Sequence, residues 1–255
     1  MLRKSKFDPE YIKRSAKDIL FPPRCAICDE LVEPGAGHIC RKCKGRLNYV
    51  SGTVCLRCGR SIISEEEQYC PECQKRERTF DGGFPVFNYV PPVSDSIVRM
   101  KYHDRQEYSE FYAEEIVKRF GERFRLLGID VILPVPIHRD KYKTRGYNQA
   151  GLIARGISER TRITFSERIL IRNLNTEPQK ELGEVERERN LRSAFEVDEA
   201  ELGKMNSKLG KNIKTVLLVD DIYTTGATIE ACTRVLRSAG IKKVYYTSAS
   251  IGKSL

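Results

Sequence analysis

The chain has 255 residues, 40% hydrophobic and 31% charged, with a mean hydropathy of −0.47, which suits one large domain, or a large and a small one, around an ordinary core. No window approaches the roughly 18 uninterrupted apolar residues of a membrane helix, and the basic start Met1–Lys6 leads into no apolar stretch of an export signal, so a secreted or membrane-spanning protein is set aside and a cytoplasmic one expected. The formal charge of +10 is shared evenly: residues 1–80 carry 16 basic and 11 acidic residues, residues 81–255 carry 29 and 24.

Residues 8–20 predict a short amphipathic helix, with Asp8 as cap, Pro9 in the first turn and Ile12, Ala16, Ile19 and Leu20 on one face. Phe21-Pro22-Pro23 ends it. An internal repeat follows: Cys25-x-x-Cys28, Cys40-x-x-Cys43, Cys55-x-x-Cys58 and Cys70-x-x-Cys73, each 15 residues after the last. Turn-rich stretches (Glu33-Pro34-Gly35-Ala36-Gly37, Ser51-Gly52-Thr53) separate the pairs, with too few large apolar residues for a core. A tetrahedral zinc site takes four soft ligands, and two such knuckles supply them. Eight thiolates therefore predict two structural zinc ions. The simplest pairing is sequential (Cys25, Cys28, Cys40, Cys43, then Cys55, Cys58, Cys70, Cys73), an interleaved one is also geometrically possible, and an iron–sulfur cluster is the other use of such a set. His38 reads as a loop residue, because the cysteines already fill both sites. Sites closed by four thiolates leave no position for catalysis, so this module predicts a scaffold or recognition role.

Composition changes at Phe80-Asp81-Gly82-Gly83, which places a boundary between a module over 1–80 and an α/β domain over 81–255. Within the second part, Phe84–Val90 reads as a strand, and Ser94–Tyr102 and Tyr108–Phe124 as helices. Asp130–Pro134 reads as a buried strand and Arg145–Arg160 as one helix with Tyr147, Ala150, Ile153, Ala154 and Ile157 inward. Lys214–Val219 is another buried strand, Ala227–Ala239 a helix and Lys243–Ser250 the last strand. Strands alternating with helices predict a mostly parallel α/β sheet. Cys232 reads as a small core residue, and His103 and His138 carry no metal pattern.

The sharpest chemical signal is Val219-Asp220-Asp221-Ile222-Tyr223-Thr224-Thr225-Gly226-Ala227-Thr228. A buried strand brings two carboxylates to the carboxyl end of the sheet, where open α/β folds bind ligands. The loop of hydroxyl residues and glycine then opens a helix whose first amides suit a phosphate. Asp220 and Asp221 can accept hydrogen bonds from vicinal ribose hydroxyls and help hold Mg²⁺. A basic patch over 139–172 has nine cations against three acids. Within it Lys143 and Arg145 suit a flap over a charged ligand, and Arg145, Asn148 and Gln149 at i, i+3, i+4 share a helix face. A polar solvent face is the plainer reading of those residues.

The diacid stretch resembles the phosphoribosyl pyrophosphate (PRPP) motif of type I phosphoribosyltransferases. That resemblance implies that Asp220 and Asp221 meet the ribose hydroxyls and that Thr224, Thr225, Gly226, Ala227 and Thr228 wrap the 5′-phosphate. It also implies that Pro134-Val135-Pro136 is the counterpart of the pyrophosphate loop. Taken with Phe21-Pro22-Pro23-Arg24-Cys25, Arg99-Met100-Lys101-Tyr102, Arg145-Gly146-Tyr147-Asn148-Gln149, Thr176-Glu177-Pro178-Gln179 and Arg187-Glu188-Arg189-Asn190, nearly the whole chain is similar to the ComF (ComFC-like) family of bacterial competence proteins. The resemblance implies an N-terminal double zinc ribbon, a phosphoribosyltransferase-like domain binding PRPP with Mg²⁺, and a role in natural transformation. Three functions follow from it: a competence factor that binds PRPP or single-stranded DNA beside other competence proteins, a phosphoribosyltransferase acting on a nucleobase or amine, and a PRPP-sensing regulator. Tyr49, Tyr142 and Tyr147 are candidates for stacking on single-stranded bases.

Overall fold

The computed structural model describes residues 22–33, 37–172 and 193–252. The expected helix over 8–20, Phe21, Pro34–Ala36 and the runs Thr176–Gln179 and Arg187–Asn190 lie outside the described residues.

Helices α1 (Arg41–Lys44) and α2 (Pro71–Lys75) belong to the cysteine-rich segment. They are followed by β1 (Gly82–Asn88), α3 (Val93–Tyr102), α4 (Tyr108–Leu126), β2 (Val131–Pro134), α5 (Arg139–Arg145), α6 (Gln149–Thr161) and β3 (Thr164–Phe165). Next come β4 (Leu170–Arg172), β5 (Phe195–Val197), α7 (Glu199–Leu209), β6 (Thr215–Tyr223), α8 (Ala227–Ser238) and β7 (Lys243–Ile251). Five strands form one parallel sheet in the order β1-β7-β6-β2-β3, as the alternation of strands and helices predicts. β6 is central, and the alternation of its side chains fills two cores. Leu217 and Val219 pack with α3, α4 and α6 (Ile97, Tyr112, Ile153), whereas Val216 and Leu218 pack with α8 and β7 (Cys232, Leu236, Val244). Cys232 is a buried core residue, as expected.

Several boundaries differ from expectation. β6 runs on to Tyr223, so both acids lie inside the strand, Asp220 paired with Ser248 of β7. The single helix expected over Arg145–Arg160 is two. Gly146 takes φ +79° and ends α5, and Asn148 caps α6 by accepting the Ala150 N–H at 3.2 Å. Arg145, Asn148 and Gln149 therefore share no helix face, although Arg145 Nη1 still donates to Gln149 Oε1 at 3.1 Å across the turn. The hairpin β4–β5 and α7 have no counterpart in the sequence reading. The strands are three residues each, and Leu202 is the buried residue of α7.

The two halves of the cysteine-rich segment repeat with a 30-residue offset. Bridge Arg24↔Leu31 corresponds to Val54↔Ser61, and α1 to α2. Cys25 and Cys43 are buried in the core of α3 and α4, while Cys55, Cys58 and Cys70 are buried in the core of α8, β6 and β7. The connection between the halves lies along β1: Val50 N–H donates to Val86 O at 2.9 Å and Asn88 N–H to Asn48 O at 2.8 Å. This covers an edge strand that would otherwise present unpaired backbone groups.

Candidate functional site

The eight sulfurs fall into two sets, Cys25/Cys28/Cys40/Cys43 and Cys55/Cys58/Cys70/Cys73, each with its Sγ atoms within 4.8 Å of one another. The sequential pairing is therefore the one the fold adopts. Four thiolates at about 2.3 Å from a tetrahedral ion lie roughly 3.8 Å apart. Cys28 Sγ and Cys40 Sγ are separated by 3.8 Å, Cys58 Sγ and Cys70 Sγ by 3.6 Å. The donor sets thus fit two structural zinc ions. Burial pushes the Cys40 thiol up, but the Cys43 backbone N–H and the neighbouring thiols outweigh it and bring it to about 7, whereas burial pushes Cys28 and Cys43 of the same set up. His38 is outside both sets and faces Glu114 of α4 at 3.4 Å.

The second candidate site is at the carboxyl ends of β2 and β6. Pro134 ends β2 level with Val219, and Val135 N–H donates to Val219 O at 2.9 Å, so the Pro134–Pro136 loop leaves the sheet beside Asp220. Asn148 Nδ2 donates to Val135 O at 3.0 Å and ties that loop to the start of α6. The Asp221 N–H donates to Asp220 Oδ1 at 2.9 Å. The Asp220 carboxyl is raised well above its ordinary value of 3.8, first by desolvation and then by the charge of Asp221. The residue keeps some exposed surface, but its carboxyl is deep enough for burial to dominate. Asp221 is met by Lys101 Nζ at 2.6 Å. Lys101 lies in the last turn of α3, in the Arg99-Met100-Lys101-Tyr102 run, and no local signal in the sequence predicts this pairing.

Lys101 also lines a cleft of about 450 Å³ with Tyr102, Asp104, Lys141, Arg145 and Tyr147. The Arg145 guanidinium sits 4.8 Å over the Tyr102 ring, a cation–π contact on a residue that is 66% exposed. Gln149 is buried, and among the described residues its Nε2 has no partner. Lys143, expected in the flap, is exposed and is not among the residues lining the cleft; Lys101 and Lys141 are. Of the tyrosines expected to stack, Tyr142 is exposed, but Tyr49 is engaged inside the fold, donating to Glu115 Oε2 at 2.7 Å and packed on Phe87. Tyr147 donates to Met100 O at 2.6 Å.

Beyond β6, Thr224 and Thr225 are exposed, and Gly226, which has no side chain, occupies the cap position of α8; Thr225 Oγ1 accepts the Ala227 N–H at a long 3.5 Å, and the next first-turn amides are left to an anion. Gly226 takes φ +79°, and a Cβ there would lie 2.2 Å from the Tyr223 hydroxyl. Gly226→Ala is expected to destabilise the chain by about 2 kcal/mol through left-handed backbone strain and this clash. Denaturant unfolding checks it, and an unchanged midpoint would show that the loop relaxes freely.

Comparison with known proteins agrees with the metal geometry. The double zinc ribbon domain family matches residues 16–74. The chain is 28% identical over 224 residues to competence protein F of Haemophilus influenzae, covering 87% of this chain and 93% of that protein. It is 29% identical over 234 residues to competence protein ComFC of Bacillus subtilis (85% and 89%). To the DNA utilization protein YhgH of Escherichia coli it is 25% identical over 226 residues (88% and 94%). Among the described residues no helix is long and apolar enough to cross a membrane. The resemblance to the ComF (ComFC-like) proteins is thereby borne out: the chain has an N-terminal double zinc ribbon and, over most of its length, is similar to the competence protein F, ComFC and YhgH proteins.

Proposed function

We propose that this chain is a ComF-type protein that acts in natural transformation from the cytoplasm, beside other competence proteins, and that its α/β portion binds PRPP with Mg²⁺. The observation that carries the ligand reading is the juxtaposition of Asp220 and Asp221, the Pro134–Pro136 loop and the glycine-led start of α8 at one end of the sheet. Carboxylates in the strand suit the ribose hydroxyls, the loop over Thr224–Thr228 suits the 5′-phosphate, and the Pro134–Pro136 loop suits pyrophosphate. Hard oxygen donors at Asp220 and Asp221 fit Mg²⁺, which would neutralise charge on the pyrophosphate. Lys101 and Arg145 add donors in the cleft, and Gln149, whose Nε2 has no partner among the described residues, holds Arg145 through its Oε1. A cytoplasmic setting accords with eight cysteines disposed as reduced metal ligands.

The Arg145–Tyr102 pair favours a second use of the same cleft. A cation over an exposed ring beside Lys101 and Lys141 suits a stacked base and its phosphate, as in single-strand binding. Transfer of the phosphoribosyl group to a nucleobase or amine, and PRPP sensing, would use the diacid site alike and differ in whether pyrophosphate is released. Calorimetric titration of PRPP with Mg²⁺ tests the reading. Wild type is expected to bind, and Asp220→Asn/Asp221→Asn to lose affinity about 100-fold or more, roughly the loss of two charge-assisted contacts. No binding by wild type would overturn the PRPP reading and leave salt-dependent DNA binding as the function.

A further inference from the structure

We propose that the second zinc-ribbon lobe is a positioning device for the Thr224–Thr228 loop, with Arg60 and Arg78 as its positioning residues. Metal loading at Cys55, Cys58, Cys70 and Cys73 is then linked to phosphate binding at that loop. The proposal rests on the reading of the loop as a phosphate site.

Arg60 and Arg78 are 6% and 4% exposed, far more buried than arginines ordinarily are. Arg60 Nη2 donates to Thr224 O at 3.0 Å and Arg78 Nη2 to Thr225 O at 2.5 Å. Two successive carbonyls of the loop are thus held from the ribbon side, which leaves the side of the loop away from the ribbon to a ligand. Among the described residues Arg60 Nε and Nη1 and Arg78 Nε have no hydrogen-bond partner, and neither guanidinium makes an ion pair. Buried cations are costly unless charge nearby compensates them. Arg60 lies two residues after Cys58, and Arg78 lines a small cleft with Cys73. Four thiolates around one Zn²⁺ carry a formal charge of about −2, so the loaded cluster supplies that compensation on one side and a bound phosphate supplies it on the other.

Two further contacts join the same lobe to the loop. The Tyr246 hydroxyl donates to Cys58 O at 2.7 Å, Tyr246 stacks on Tyr223 at 4.7 Å, and the Tyr223 hydroxyl abuts Gly226. The Thr79 N–H and hydroxyl donate to the Glu230 carboxylate at 2.9 and 3.0 Å, in the first turn of α8. The first lobe docks elsewhere. Its Ile27 and Ala26 carbonyls accept from Arg99 and Ser96 of α3, and Asp29 accepts from Tyr108 of α4. The linkage is accordingly selective for the second ion.

The test uses the zinc-loaded full chain and ribose 5-phosphate as probe. After a limited chelator challenge, cysteine alkylation is followed by mass spectrometry with and without the probe. Ribose 5-phosphate is expected to slow alkylation of Cys55, Cys58, Cys70 and Cys73 about fivefold or more, with little change at Cys25, Cys28, Cys40 and Cys43, because coupling between two sites is reciprocal. Arg60→Gln and Arg78→Gln are expected to keep two zinc ions per chain, to weaken ribose 5-phosphate about tenfold, and to remove the selective protection. If the probe binds wild type and both cysteine sets are slowed equally, or neither is, the linkage is refuted while the phosphate reading stands. Absence of binding by wild type to both ribose 5-phosphate and PRPP refutes the reading and the linkage with it. The wild-type arm decides the question even where a variant fails to fold.

Discussion

Strong chelators are expected to strip about two zinc ions per chain and to unfold the α/β sheet along with the ribbon. Structural zinc in small modules contributes roughly 10–16 kcal/mol of apparent folding free energy, as much as the whole stability of an ordinary domain. Here the ligands are not confined to a module of their own. Cys25 and Cys43 are buried against α3 and α4, and Cys55, Cys58 and Cys70 against β6, β7 and α8. Emptying the sites leaves four thiols that crowd one another in each core, so loss of metal opens both faces of the sheet. Cys58→Ser, at 1% exposed, is expected to act like removal of its ion, because three thiolates and a weak hydroxyl ligand hold zinc poorly. Metal analysis together with thermal melts followed by circular dichroism checks this. A zinc count near one would break the two-site assignment. A sheet that melts at the same temperature after complete zinc removal would show that the ribbon only decorates it.

How far such features were legible in the sequence depended on how far apart their parts lie. The ligand sets were readable because a Cys-x-x-Cys knuckle is local. The sequential pairing, the simplest reading of that spacing, is the one the fold adopts, although an even 15-residue step also allows an interleaved one. β6 and its diacid stood out because a continuous apolar run is what a strand covered on both faces requires. The break at Gly146 was hidden, since Tyr147, Ala150, Ile153 and Ile157 continue a helical period on either reading. α7 was hidden because it buries so little that its amphipathic pattern is faint. The contacts that shape the candidate site were the least visible. Lys101 reaches Asp221 from another helix, and Arg60 and Arg78 reach the loop at Thr224 and Thr225 across 164 and 147 positions. None of these cations has a local motif announcing its partner.

Asp220→Asn is expected to make the ligand-free chain more stable above the ordinary carboxylate range, and less able to gain stability from Mg²⁺ and PRPP. Burial, and then the charge of Asp221, raise the Asp220 carboxyl well above 3.8, with Lys101 and the Asp221 N–H opposing them. The folded chain therefore holds this proton at pH values where the unfolded chain has released it. Within that window the native state binds more protons, so stability falls as pH rises from about 4 through the raised folded value. Below the window the contribution is fully present. Asparagine keeps an oxygen to accept the Asp221 N–H and has no charge to bury. Its melting midpoint is expected to exceed that of wild type by roughly 2–4 °C at pH 8, the shift that about 1 kcal/mol produces in a chain of this size, and to match it near pH 4. Saturating ligand reverses the order. At 100 times its Kd a ligand adds about 2.7 kcal/mol to the protein that binds it, and on the proposed function it is the wild-type carboxylates that would hold Mg²⁺ and ribose. Melts of both proteins at pH 4 and pH 8, each with and without Mg²⁺ and PRPP, separate the two claims. Equal melting of the ligand-free proteins at pH 8 would show that Asp220 ionises without cost. An equal gain from the ligand in both would show that the diacid serves the fold and not the ligand. A crossing of the two midpoints on addition of ligand marks a carboxylate kept against the interest of stability, as binding sites commonly keep them.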